Sequence, residues 1–159
     1  MKTETLLVLN LQQFLNGGDI IMKPEMCRIK DDPENNQSGD CVRACIASLL
    51  ELDAENVPHF FAEPDGLKAN QDMQFWLANR RKIAAFISLP GEWSFKKFGE
   101  YMTEFYHNKY YMLWAGFGSG DHAVICKNGK IEHNPAWYRT PLTGPHSHGI
   151  WIVGFVVDL

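Results

Sequence analysis

The chain has 159 residues, of which 45% are apolar and 21% charged, with a formal net charge of −4. This length suits one domain with its own core, and a net negative chain with no run of Lys and Arg argues against binding nucleic acid through its phosphates. No apolar stretch reaches the ~18 residues that a membrane helix needs, so no membrane partner is expected.

Residues 1–21 read as an appendage to a single domain over residues 22–159, with Met22 as an alternative start. Met1-Lys2-Thr3-Glu4-Thr5 precedes only a short apolar run with no small-residue cleavage site. The four cysteines, Cys27, Cys41, Cys45 and Cys126, are therefore expected as reduced thiols in the cytoplasm. A polar loop from Lys30 to Asp40 feeds an apolar segment in which Val42, Cys45, Ile46, Leu49 and Leu50 recur at three-and-four spacing. Ser38, Gly39 and Asp40 are cap and turn residues, so a helix should begin within a residue or two of Cys41 and stop near Leu52.

Asn56-Val57-Pro58-His59-Phe60 marks a turn. The spacing of Met73, Trp76, Leu77 and Arg80 predicts a helix over residues 72–81. Residues 83–89 suit a buried strand that Pro90-Gly91 ends. Ser94 is placed to cap a helix carrying Phe95, Phe98, Tyr101, Met102 and Phe105. Strands are expected over residues 110–115, 122–127, 130–133 and 150–157. Helices first and an antiparallel sheet later indicate an α+β fold.

The hairpin after residue 122 allows two turns. With Asn128-Gly129 as a two-residue loop, Lys127 faces Lys130 and Asn134 falls on the face away from His122. With Gly129 as the left-handed bulge of a three-residue loop, Cys126 faces Lys130 and His122 faces Asn134 directly. A catalytic His–Asn pair requires them on one face, so the bulged loop is the expected one.

The chemistry rests on that pair and on Cys41. A thiol at a helix start feels unpaired N–H groups and the positive end of the helix dipole, which favour thiolate. His122 heads an apolar strand and Asn134 ends the next. A cysteine, then a histidine, then an asparagine is an order of parts suited to thiol-based acyl transfer.

At these residues the chain resembles the papain-like cysteine peptidase superfamily, nearest to the double-glycine (bacteriocin-leader) peptidases and small bacterial and phage relatives. Asp40-Cys41-Val42-Arg43-Ala44-Cys45 matches their Asp-Cys-Gly-x-Ala-Cys except for Val42, and Asn134 precedes Pro135 as the third catalytic residue does in that family. The resemblance spans roughly residues 35–135. It implies a papain-like α+β fold, with the cysteine helix packed on the antiparallel sheet that carries the histidine and asparagine. It further implies a cysteine peptidase or amidase with Cys41 as nucleophile, His122 as base and Asn134 as its orienting group.

The oxyanion would be held by the Cys41 N–H and a side-chain amide, Gln37 or Asn35, although the family's glutamine lies about six residues before the cysteine. Trp137 is expected to shield the His–Asn contact from water. Asp40 favours the helix start yet opposes thiolate formation at Cys41. His133 is either an exposed strand residue or, with the other turn, the orienting group.

No cofactor or metal is expected. The partner would be a peptide, protein or small amide substrate, and the chain a monomer or weak oligomer. Two further readings stand beside this one: a catalytically silent binding domain on the same fold, acting on a host partner if the chain is phage-encoded, and a zinc site built from Cys41, Cys45, His122 and His133.

Overall fold

A computed structural model describes residues 21–118, 120–138 and 141–159. The expected appendage, apart from Ile21, lies outside the described residues. A short 3-10 turn, Pro33–Asn35, precedes helix α1 (Cys41–Leu49), and a second, Ala54–Asn56, leads to α2 (Gly66–Ala78). Then come β1 (Lys82–Pro90), α3 (Phe95–Phe105), β2 (Tyr110–Phe117), β3 (Gly120–Lys127), β4 (Lys130–His133), β5 (Leu142–Pro145) and β6 (Ile150–Asp158). The fold is α+β. Among the described residues no helix is long and apolar enough to cross a membrane.

The six-stranded sheet runs β1-β6-β2-β3-β4, with antiparallel pairing throughout. Along one edge of β2, Met112 to Trp114 pair with β6 and Ala115 to Phe117 pair with β5. Sequence patterning misses β5 because Leu142-Thr143-Gly144-Pro145 has neither alternation nor β-branched residues at length. Its proline is tolerable only at a sheet edge.

Alternation along β2 sorts the two layers. Tyr111, Leu113, Ala115 and Phe117 pack with Phe98 and Met102 of α3. Met112 and Trp114 turn the other way, against Cys45 and Leu49 of α1. Helix α2 joins α1 on that second face, with Met73 and Leu77 packed among Ile46 and Ala47 of α1 and Ala84 of β1. The Gln74 carboxamide clamps α2 to β1, donating to the Ala84 carbonyl at 2.7 Å and accepting from its N–H at 3.0 Å.

Three of the departures from expectation have local reasons. Helix α1 ends at Leu49 because Glu51 takes a left-handed φ of 55°. Glu51 and Leu52 then donate their N–H groups back to Ser48 and Ala47, so Leu52 belongs to the termination motif. Helix α2 starts six residues early, at Gly66, where Asp65 caps it by accepting from the Lys68 N–H. Its first two turns bury only Ala69, which leaves little periodic signal.

The third difference is the hairpin. Asn128 (φ 49°) and Gly129 (φ 71°) form the two-residue loop, with Lys127 opposite Lys130 and Cys126 opposite Ile131. The expected three-residue bulged loop does not form, because Asn-Gly is well suited to two successive positive φ angles. The extra residue enters one step later: Ile125 faces His133, so Glu132 is the bulge. His133 therefore shares the face of Ile125, and Asn134 turns onto the opposite face, which carries Val124 and His122.

Candidate functional site

A cleft of about 310 Å³ opens where α1 and β3 begin, and both Cys41 and His122 line it. Cys41 is the first residue of α1 and is half-buried. The side chain of Asp40, the N-cap, accepts no capping hydrogen bond from a backbone N–H of the helix. Its fully buried carboxylate instead accepts from the N–H groups of Arg28 (3.0 Å) and Ile29 (2.9 Å) and pairs with the Arg43 guanidinium at 3.4 Å. The expected capping role of its side chain is thus replaced by an anchor for residues 28–29.

His122 is 3% exposed and stands edge-on to the Phe117 ring at 5.3 Å. Its Nε2 lies 2.8 Å from Asn134 Oδ1, and the same oxygen accepts from the Ala136 N–H at 3.0 Å. A peptide N–H only donates, so the carboxamide atom facing Ala136 is the oxygen, and the imidazole nitrogen facing it is the protonated one. Asn134 therefore fixes the His122 tautomer with the hydrogen on Nε2, leaving Nδ1 as the basic nitrogen. His122 shares its sheet face with Ala115, its partner on β2, whereas Ala123 faces α1. Both meet the cleft because it lies across the end of the strand.

Other expected residues fall elsewhere. Gln37 is exposed and gives its amide to the Lys30 carbonyl at 2.7 Å, while Asn35 gives its own to Asp32 within the first 3-10 turn. Neither lines the cleft, so neither is placed as an oxyanion donor. Trp137 is 74% exposed and meets Tyr138 edge-on, so it does not shield the His–Asn contact. Buried Phe117 and Ala136 lie against that contact instead. His133 donates from Nε2 to the Glu25 carbonyl at 2.6 Å, tying the N-terminal segment to β4, and is not the orienting group.

The zinc set does not assemble. Cys45 is fully buried among Leu49, Met112, Ala123 and Ile125, and among the described residues no group of three or more His, Cys, Asp or Glu is placed to hold a metal ion.

Sequence reasoning missed several cleft residues. Cys27, Asp31, Glu63, Tyr138 and His146 all line it, from segments with no periodic pattern. His146 is held at the rim, with Nε2 3.3 Å from the Asp121 carboxylate and Nδ1 accepting from the His148 N–H. Burial lowers its pKa below the ordinary histidine value. Among the described lining residues the charged side chains are Asp31, Glu63 and Asp121, with no Lys or Arg. Comparison with protein-family models, with curated proteins and with solved structures gives no match.

Proposed function

We propose that this chain is a cysteine hydrolase of papain-like fold, cleaving an amide-type bond in a peptide, protein or small amide through Cys41, His122 and Asn134. The observation that carries this reading is the shared Asn134 oxygen. It holds the His122 imidazole in one tautomer, protonated on Nε2, in the cleft that Cys41 also lines. In this reading Nδ1 takes the Cys41 proton, and the helix dipole at the start of α1 adds about 0.3–1 kcal/mol in favour of the thiolate.

The thiolate attacks the carbonyl, and the oxyanion is met by backbone N–H groups at the start of α1, a role that falls to no side-chain amide of the 35–37 loop. The imidazolium then protonates the leaving group, and water, deprotonated by the same ring, releases the acyl chain. The carboxylate-lined cleft favours neutral or cationic substrates over acidic ones.

The reading is tested with p-nitrophenyl acetate as a general acyl donor. A burst of p-nitrophenolate with the acetyl group mapped to Cys41, and none in Cys41→Ser, is the expected result. Acetylation spread over lysines without a burst would leave the silent binding domain as the better account.

A further inference from the structure

Cys27 lines the cleft, and the acyl-transfer chemistry does not use it. Backbone hydrogen bonds fix its place. Its N–H donates to the Pro135 carbonyl at 2.9 Å, one residue beyond Asn134. The next two N–H groups, of Arg28 and Ile29, donate to the carboxylate of Asp40, one residue before Cys41. Cys27 thus bridges the two walls that carry the proposed nucleophile and its histidine partner's anchor.

Both cysteines line the cleft, near enough that the Cys41 and Asp40 charges are felt at the Cys27 thiol. Neither is in a disulfide and both are half-buried, whereas Cys45 and Cys126 are fully buried. Burial, then the neighbouring Cys41 and Asp40 charges, push the Cys27 thiol far above its ordinary range. It stays protonated at neutral pH and does not compete as nucleophile.

We propose that Cys41 and Cys27 form a peroxide-responsive pair, in which Cys41 is oxidised first and Cys27 resolves it as a disulfide. This rests on the hydrolase reading for one point, the thiolate character of Cys41. The Cys41 thiolate attacks a hydroperoxide, the O–O bond breaks, and Cys41 sulfenic acid forms with release of an alcohol or water once the leaving oxygen takes a proton. Cys27 then gives up its proton and attacks the Cys41 sulfur. The S–O bond breaks and the hydroxyl leaves as water. Two electrons pass from the two thiols to the peroxide. Loss of the Cys41 negative charge at the first step removes the second of the causes that hold Cys27 protonated, after burial. A dithiol reductant reverses the bond by exchange.

The full chain is treated with hydrogen peroxide at neutral pH, with and without dimedone, and mapped by mass spectrometry beside Cys27→Ser. The expected wild-type result is a linked Cys27–Cys41 peptide pair, with iodoacetamide labelling of Cys41 lost and then restored by dithiothreitol. Cys27→Ser should instead trap dimedone on Cys41 and proceed to a sulfinic acid that dithiothreitol does not restore. The wild-type map stands without the variant. Dimedone trapping on wild-type Cys41 with no linked pair would overturn the pairing while leaving the thiolate intact. A Cys41 inert to both peroxide and iodoacetamide would overturn the pairing together with the hydrolase reading.

Discussion

His122→Ala is expected to slow acylation of Cys41 by p-nitrophenyl acetate by about two to four orders of magnitude, the usual contribution of a positioned general base. The imidazole is buried, held by Asn134 on one nitrogen and flanked by Phe117, so no neighbouring histidine takes its place. His146 commits both of its ring nitrogens to Asp121 and His148, and His133 commits Nε2 to Glu25. Substitutions of Asn134 should grade the effect. Asn134→Asp keeps an acceptor for both the His122 and Ala136 N–H groups and should retain more of the rate than Asn134→Ala, which frees the tautomer. The burst rate of each variant checks this, with far-UV circular dichroism showing that the fold persists. A His122→Ala burst within threefold of wild type would remove the histidine from the mechanism.

Asp40→Ala is expected to destabilise the fold by about 3–5 kcal/mol, the range for breaking a buried ion pair from one side. The carboxylate is fully buried and gathers the N–H groups of Arg28 and Ile29 with the Arg43 guanidinium. Its removal leaves two peptide donors without their acceptor and a cation, itself only 15% exposed, without its counter-charge. Asp40→Asn should cost less, because one oxygen still accepts from both peptide groups. The shift in the urea unfolding midpoint at constant m-value reads both. A loss below about 1 kcal/mol for the alanine variant would mean that residues 27–29 are held by other contacts.

Much of the frame was legible because its signals are local. The three-and-four spacing from Val42 to Leu49 locates α1, Ser94 caps α3 by accepting from the Lys97 N–H, and the apolar runs of β1, β3 and β6 lie where strands form. The placement of His122 and Asn134 together was also expected, but through the wrong device. Local turn chemistry at Asn128-Gly129 overrode the register that a direct pairing requires, and a bulge at Glu132 restored the shared face. Bulges of that kind leave no mark in a single sequence.

Assignments that depend on tertiary approach were the ones that failed. Gln37 and Asn35 are close to Cys41 in the chain, yet the 3-10 turn directs both amides to backbone and side-chain acceptors of their own loop. Cys27 reaches the cleft only because peptide groups of Cys27, Arg28 and Ile29 find Pro135 and Asp40, contacts spanning 11 to 108 residues of sequence that no periodicity encodes.

Whether Cys41 works as a thiolate beside His122 is read from the pH dependence of its alkylation by iodoacetamide in the wild-type chain. Rapid labelling already at pH 6, with little further gain up to pH 8, is expected of a thiolate formed well below the ordinary thiol pKa of about 8.5. A rate that climbs tenfold per pH unit through this range, levelling only above about pH 8.5, would contradict it.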